Sequence, residues 1–342
     1  MSSPPFPLFP VAVIGQGAVS PAGEGIQALL QNEPVSDSSL ASLRASHTGH
    51  YPVKRVDPKL PGLIKWSQES RLRRASPVAL FLVESAAQAL AQWNRPAGAR
   101  VGLVGTFFCG SPAYSRRFFE QALRNGQAAA SPALFPETVY NSPLSHAAAI
   151  LGVDGAAYAL VGDESAWVEA VRVAATWLAR DEVDAVVVVA AEEIDIIAVE
   201  AYVAAGWLHP GKPFRPAEGS AAILLRRPQA GDNIQIDTIH LGCSYRNPAE
   251  ARRAAHECFD QFFPTLPVFP SAGHSWLEPL ARDAMAPRLA SLRTSYLGEA
   301  FVATAGWNTL RALNTPPPQR NEWVIPAWGQ NHQISALKVT CR

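Results

Sequence analysis

The chain has 342 residues, 48% of them hydrophobic, and its 29 basic residues balance its 29 acidic ones. That length buries one large core or two fused halves of ordinary domain size, and the even charge excludes the clustered basic surface of a domain that tracks nucleic acid. The four cysteines (Cys109, Cys243, Cys258 and Cys341) have no C-x-x-C spacing and read as reduced thiols of a soluble cytoplasmic protein, neither disulfide staples nor zinc ligands.

Met1 to Pro10 is proline-rich with no basic residue ahead of an apolar run, which predicts no secretory signal. Residues 11–14 (Val-Ala-Val-Ile) predict a short buried strand that breaks into a glycine turn at Gly15-Gln16-Gly17, then Ser20-Pro21. A short helix is expected over 25–30. Weak periodicity and many Ser and Pro make 31–66 an irregular stretch. Arg71, Arg73 and Arg74 read as a solvated face. Residues 77–93 predict a helix, with Pro77 in its first turn and a stripe of Leu80, Val83, Ala87, Leu90 and Ala91. Residues 101–106 are a second buried strand, followed by a loop through Gly110.

Residues 158–161 predict a strand that runs directly into Gly162-Asp163-Glu164-Ser165. A helix follows, its buried face drawn by Trp167, Ala170, Val171, Ala174, Ala175 and Leu178. After Asp184, residues 185–190 are apolar on both faces, as in a central strand covered by helices on two sides. The whole apolar stretch, 185–191, is too short to span a bilayer. Beyond the apolar run 223–225 comes a polar break from Arg226 to Asn233, and alternation resumes at Ile234-Gln235-Ile236-Asp237. The seam between two α/β halves, 1–230 and 231–342, is placed there. Helices over 249–263, 280–292 and 306–313, a proline connector at 316–318 and a closing strand over 334–339 complete a layered α/β chain.

The opening Val11-Ala12-Val13-Ile14-Gly15-Gln16-Gly17 through Gly23, the segment with Phe135-Pro136, Asn141, Pro143 and His146, and the run from Gly155 and Tyr158 through Asp184 to Glu192 together resemble the β-ketoacyl synthases of the thiolase superfamily. Gly298 with Ala303 to Ala305, and Gly329 before the last strand, add C-terminal landmarks. The resemblance implies a thiolase-like fold, layered α-β-α-β-α with two pseudo-duplicated halves. Gly15-x-Gly17 does not read as a dinucleotide fingerprint, because Ser20 takes the third glycine's place and no acidic residue closes a second strand at the required distance.

In that family a cysteine sits where the strand turns into the helix, and the helix N-terminus makes it a thiolate that accepts the acyl group. Counting from Gly155 and Tyr158, the position is Glu164 here, and Ser165 is the neighbouring hydroxyl. A carboxylate is stabilised beside a helix N-terminus but does not exchange thioesters. The family's two histidines, which assist decarboxylation and hold the enolate, fall on Ala272 and Glu299, with His274 two positions away from the first. The gating loop corresponds to Trp328-Gly329-Gln330-Asn331-His332, and Phe107 and Phe108 stand where the acyl pocket would be walled. The connection from Pro213-Phe214 to Glu218-Gly219 is much shorter than its family counterpart, and the half at 231–342 is short as well. Trp167 and Trp328 read as core aromatics.

Loss of the whole Cys-His-His set points to a degenerate member that works by binding, like the chain-length-factor partners of these synthases. It implies a homodimer, or a heterodimer with a ketosynthase-like chain, with acyl carrier protein as a further partner and no cofactor. Two other readings stay open. One is an acid–base pair of Glu164 and Glu299, acting as a carrier decarboxylase or hydrolase, or holding a hard metal ion with Asp163 or His274. The other is an adaptor outside lipid metabolism, for example in a secretion or toxin gene cluster. Cys109 reads as a buried, inert thiol.

Overall fold

The computed structural model describes residues 6–31, 33–126, 128, 130–209, 214–261, 263–269, 283, 297–316, 320–329 and 333–342. The chain opens with β1 (Phe6–Ser20), β2 (Gly23–Glu24), α1 (Gly25–Leu30), β3 (Ser38–Ala41), β4 (His50–Val53), α2 (Pro61–Ser67) and α3 (Pro77–Leu90). It continues through β5 (Val101–Phe107), α4 (Pro112–Asn125), α5 (Ser142–Leu151), β6 (Ala157–Val161), α6 (Ser165–Ala179), β7 (Ala185–Glu192), α7 (Ile196–Ala204) and β8 (Gly219–Arg226). The remaining described elements are β9 (Ile234–Ser244), α8 (Pro248–His256), α9 (Val302–Asn314), β10 (Glu322–Trp328) and β11 (Gln333–Cys341).

The glycines at 15 and 17 lie inside strand β1, which corrects the turn expected there. Helix α3 passes directly over the strand: a Cβ on Gly15 or Gly17 would stand 2.1 or 2.0 Å from the carbonyl oxygens of Ala89 and Ser85. Glycine is required by that approach, and the register with β8 shifts between Val13 and Gly15. The expectation of irregular structure over 31–66 is corrected too. Strands β3 and β4 form a hairpin whose Leu40, Tyr51 and Val53 pack against α7, while Glu200 of α7 accepts hydrogen bonds from the Ser42 hydroxyl (2.7 Å) and the Leu43 N–H (3.2 Å). Helix α2 is capped from a distance, by Glu24, which accepts from the N–H of Gly62 at 2.9 Å and of Leu63 at 3.2 Å. Supports so remote in sequence leave no local periodicity.

The strands run in the order β10-β11-β9-β1-β8-β7-β5-β6. From β1 outward, β8 is antiparallel to both of its neighbours, and β7, β5 and β6 are mutually parallel. From β9 outward the pattern repeats: β11 is antiparallel to both neighbours, and Val268 bridges Val324 of β10 in parallel. The duplicated halves meet at the antiparallel pair β1–β9.

Alternating side-chain direction along the buried strands sorts the layers. On one outer face Val78, Leu82, Val83 and Ala86 of α3 pack on Leu103, Val187, Val189 and Leu224. On the other, Ala251, Ala255 and Phe259 pack on Val324 and Ala336. Between the two halves lie α6 and α9, whose side chains touch Val186, Val188 and Ile223 on one side and Ile325, Leu337 and Val339 on the other. This is the α-β-α-β-α arrangement. Alanine-rich α6 fits the narrow middle layer, and each large side chain it buries, such as Trp167, Val171 and Leu178, contributes about 1.5–3 kcal/mol. The Trp167 indole N–H donates to the Thr309 hydroxyl at 2.9 Å, tying α6 to α9. Strand β7, fully buried along Ala185–Glu192, is the two-sided central strand that its composition predicts.

The helix expected over 249–263 is split into α8 and a wider turn at Glu257–Gln261. The one expected from Gly306 starts four residues earlier, at Val302, and the closing strand β11 pairs with an unanticipated β10. The helix expected over 280–292 lies outside the described residues. Among those described, no helix is long and apolar enough to cross a membrane.

Candidate functional site

Strand β6 turns into α6 through Gly162-Asp163-Glu164. The Gly162 N–H donates to the Phe107 carbonyl at 3.0 Å, which fixes the turn against the end of β5. The Asp163 carboxylate accepts the Ser165 N–H at 3.1 Å, and the carbonyls of Asp163 and Glu164 accept from Ala166 (2.9 Å) and Trp167 (3.2 Å). Asp163, Glu164 and Ser165 are all buried. The two acids, Asp163 and Glu164, stand at the positive end of α6, where negative charge is favoured. The segment leaving β10 closes over this turn. A Cβ on Gly329 would come within 2.0 Å of Asp163 Oδ2, so any larger residue there would push the Asp163 carboxylate aside. The Tyr245 hydroxyl donates to the Gly329 carbonyl at 2.6 Å. Burial, with the charges of Glu164 and Asp163 nearby, holds the Tyr245 phenol well above its ordinary pKa. Glu164 thus stands at the turn from β6 into α6. The Ser165 hydroxyl makes no hydrogen bond among the described residues, so none of them serves it as a base.

Glu299 stands just before α9. Its backbone pairs with the short 214–219 connection: its N–H donates to the Arg215 carbonyl and its carbonyl accepts from Ala217, both at 2.8 Å. Its carboxylate accepts the Phe301 N–H at 3.0 Å. Burial pushes the Glu299 carboxyl up to about 7, opposed by hydrogen bonds from Thr304 and the Phe301 N–H. Phe301 adopts φ +46°, a left-handed conformation strained for a bulky residue. That backbone aims its ring at Phe108, with which it stacks at 4.2 Å between centroids. Trp207 lies 6.3 Å from Phe108, and Tyr202 lies 5.4 Å from Phe301. The two phenylalanines therefore have different surroundings: Phe108 is sandwiched in this aromatic layer, while Phe107 is fully buried in the sheet core, 6.4 Å from the Tyr140 ring. Cys109 Sγ lies 2.8 Å from the Tyr202 hydroxyl, and burial together with Glu192 keeps its thiol protonated.

Sequence reasoning missed a row of buried carboxylates at the carboxyl end of β7. Glu192 accepts the N–H groups of Phe108 and of Cys109, the latter at 3.1 Å. Glu193 accepts the Ser76 hydroxyl and the N–H groups of Val78 and Ala113, both at 3.0 Å, and so holds the first turns of α3 and α4 together. Glu218 pairs with Arg55 and accepts the N–H groups of Val56 (3.2 Å) and Ile194 (3.0 Å). Burial raises Glu192 to about 8 and Glu193 to about 7. The available signal was two consecutive acids closing an apolar strand at the end of a parallel sheet, where sites collect.

Ala272, His274, Gln330, Asn331 and His332 lie outside the described residues, while Trp328 ends β10 in a buried position. Among the described residues, no group of three or more His, Cys, Asp and Glu side chains is arranged to hold a metal ion.

The sequence matches the model of the β-ketoacyl synthase N-terminal domain over residues 9–230. No curated protein sequence matches the chain. Among solved structures it is similar to the ishigamide ketosynthase/chain length factor, with a TM-score of 0.78 and 14% identity over 97% of this chain and 99% of that one. It is also similar to AntDE:AntF, a type II polyketide synthase acyl-carrier protein in complex with its ketosynthase bound to the hexaketide, at TM-score 0.75 and 15% identity over 98% and 100%. A β-ketoacyl synthase from Burkholderia phymatum STM815 gives TM-score 0.75 and 13% identity, again over 98% and 100%. At such identities the likeness is one of fold.

Proposed function

The chain belongs to the β-ketoacyl synthase family, and from that premise we propose that it acts there by binding, as a non-condensing partner of a ketosynthase-like chain. The observation that carries the reading is the elbow, where a buried glutamate, Glu164, stands at the helix N-terminus that the family uses to activate a thiolate. A carboxylate there keeps the electrostatic stabilisation of the turn and forms no exchangeable thioester.

Two surfaces support the partnership. Strand β6, immediately before the elbow, ends the sheet; among the described residues it pairs with β5 alone. It exposes Tyr158 (52%) and Val161 (56%), an apolar edge that a second chain would cover. The ishigamide ketosynthase/chain length factor shares this fold, which favours a ketosynthase-like chain as the occupant. Beside α4, Arg73, Arg74, Arg117 and Arg124 line a hollow of about 530 Å³. Arg73 and Arg74 are exposed, as a solvated face requires, and also line this hollow. It suits an acidic carrier-protein surface, and AntDE:AntF is a carrier bound to its ketosynthase.

The test is to purify the chain alone and together with a ketosynthase-like chain encoded beside it. A stable complex by light scattering, with intact mass showing acyl transfer from carrier to the other chain only, is the expected result. A chain that stays monomeric with every ketosynthase offered, or that takes up an acyl group itself, overturns the proposal. A second reading, carrier decarboxylation, is favoured by the Glu299 carboxyl at about 7, which suits proton transfer near neutrality. Malonyl-carrier turnover abolished by both Glu164→Ala and Glu299→Gln would establish it, and no turnover dismisses it.

A further inference from the structure

A hollow of about 710 Å³ opens where β1 ends and β8 begins, well within the size of small-molecule sites. Its apolar wall is made by Pro21, Leu63, Leu80 and Phe81, and none of the elbow side chains lines it. The polar feature is Arg55. Its Nε and Nη2 clamp the buried Glu218 carboxylate at 3.0 and 3.4 Å. Glu218 is saturated by that pair and by the N–H groups of Val56 and Ile194. Arg55 Nη1, by contrast, makes no hydrogen bond among the described residues, on a side chain that is 39% exposed. A planar guanidinium fixed along one edge presents its other edge as a ready donor.

Charge narrows what the donor meets. Arg55 and Glu218 cancel, and Asp57 lines the same hollow with its carboxylate turned to the Lys59 N–H at 2.9 Å. A carboxylate or phosphate entering here is repelled by Asp57, and an ammonium group, which only donates, cannot accept from Arg55 Nη1. A neutral carbonyl accepts from Arg55 without either cost. We propose that this hollow binds a neutral molecule with an amide- or ester-type carbonyl head on an apolar body, the carbonyl on Arg55 Nη1 and the body against Leu63, Leu80 and Phe81.

Octanamide, octanoate and octylamine, titrated separately against the full chain at pH 7.5 by saturation-transfer NMR, test this. Octanamide is expected to bind saturably and about fivefold or more tighter than either charged probe, roughly the worth of one unopposed hydrogen bond. Leu80→Trp fills the hollow and should abolish binding at an unchanged melting temperature. Arg55→Lys keeps Glu218 paired and should shrink the preference for octanamide to less than about twofold, since one ammonium cannot serve both partners. Equal binding of the three probes, a preference for octanoate, no binding at all, or octanamide binding indifferent to Arg55→Lys would each overturn the site. Should Leu80→Trp not fold, Arg55→Lys decides the question by itself.

Discussion

At the start of α6 the Asp163 carboxylate accepts the N–H of Ser165, two residues on; at the start of α9 the Glu299 carboxylate accepts the N–H of Phe301, again two residues on. The two central helices, in matching places of the duplicated halves, are thus entered through the same acid-capped turn. Their next residues differ. Ser165 leaves a small buried hydroxyl with no hydrogen bond among the described residues, while Phe301 takes a strained backbone conformation and drives a ring onto Phe108. One half has become an acidic elbow and the other an aromatic plug. Duplication supplies two equivalent helix starts, and the side chains placed there decide what each surrounds.

The largest effect tests whether the halves are one cooperative unit. Trp167→Ala removes the ring that joins α6 to α9 and should cost about 3–5 kcal/mol in urea unfolding, within a single transition. Two separate transitions, with only one shifted, would show that the halves fold independently and break the comparison.

Next in size is pH. Glu192, Glu193 and Glu299 have folded-state values near 8, 7 and 7, against 4.5 for an exposed glutamate. The folded chain therefore holds protons that the unfolded chain releases. Stability is fullest below about pH 4.5 on their account and falls as pH rises through 7 and 8, by on the order of a few kcal/mol. Melting temperatures measured from pH 5 to 9 should show that decline. Glu299→Gln should remove the second half's share, and Glu193→Gln part of the first's. A chain that gains stability over that range contradicts these assignments.

Smaller again is the strain at Phe301. Replacing the ring costs stability in either case, but Phe301→Gly should be about 1 kcal/mol more stable than Phe301→Ala, because glycine adopts φ +46° without penalty. If alanine is the more stable, the plug is unstrained and the halves differ less than described. The smallest effect on stability, within about 0.5 kcal/mol, belongs to Val161→Lys on exposed β6. The same change should abolish association with a ketosynthase-like chain by light scattering, because it sets a charge on the apolar edge.

Much of the fold could be read in the sequence wherever one segment carries its own pattern. The continuous apolar run of β7 announced a two-sided central strand, and the spacing from Trp167 to Leu178 announced α6. Helices α4 and α7 were not legible. The first sets Tyr114, Phe118 and Ala122 at helical spacing among polar residues but buries only Pro112, so its pattern marks no core, and the second is apolar almost throughout and shows no one-sided stripe. The glycines of β1 were misread as a turn, since the reason for them is a helix that begins sixty residues later. At the site, Glu164 was found by register from Gly155 and Tyr158, while Glu193 and Glu218 were not, because their partners at 76, 78, 113 and 55 are scattered along the chain.

By itself, then, the sequence determined the layered α/β class, the strand-turn-helix with an acid at its elbow, and the family resemblance. Those features rest on local pattern: side-chain spacing within one element and the residue types at a single turn. The tertiary structure alone decided that Gly329 and Tyr245 close over Asp163, that Phe301 meets Phe108, and that Arg55 is clamped by Glu218 with one edge left open. Each of these joins residues far apart in the chain, so its energy appears only once the two halves have packed around α6 and α9.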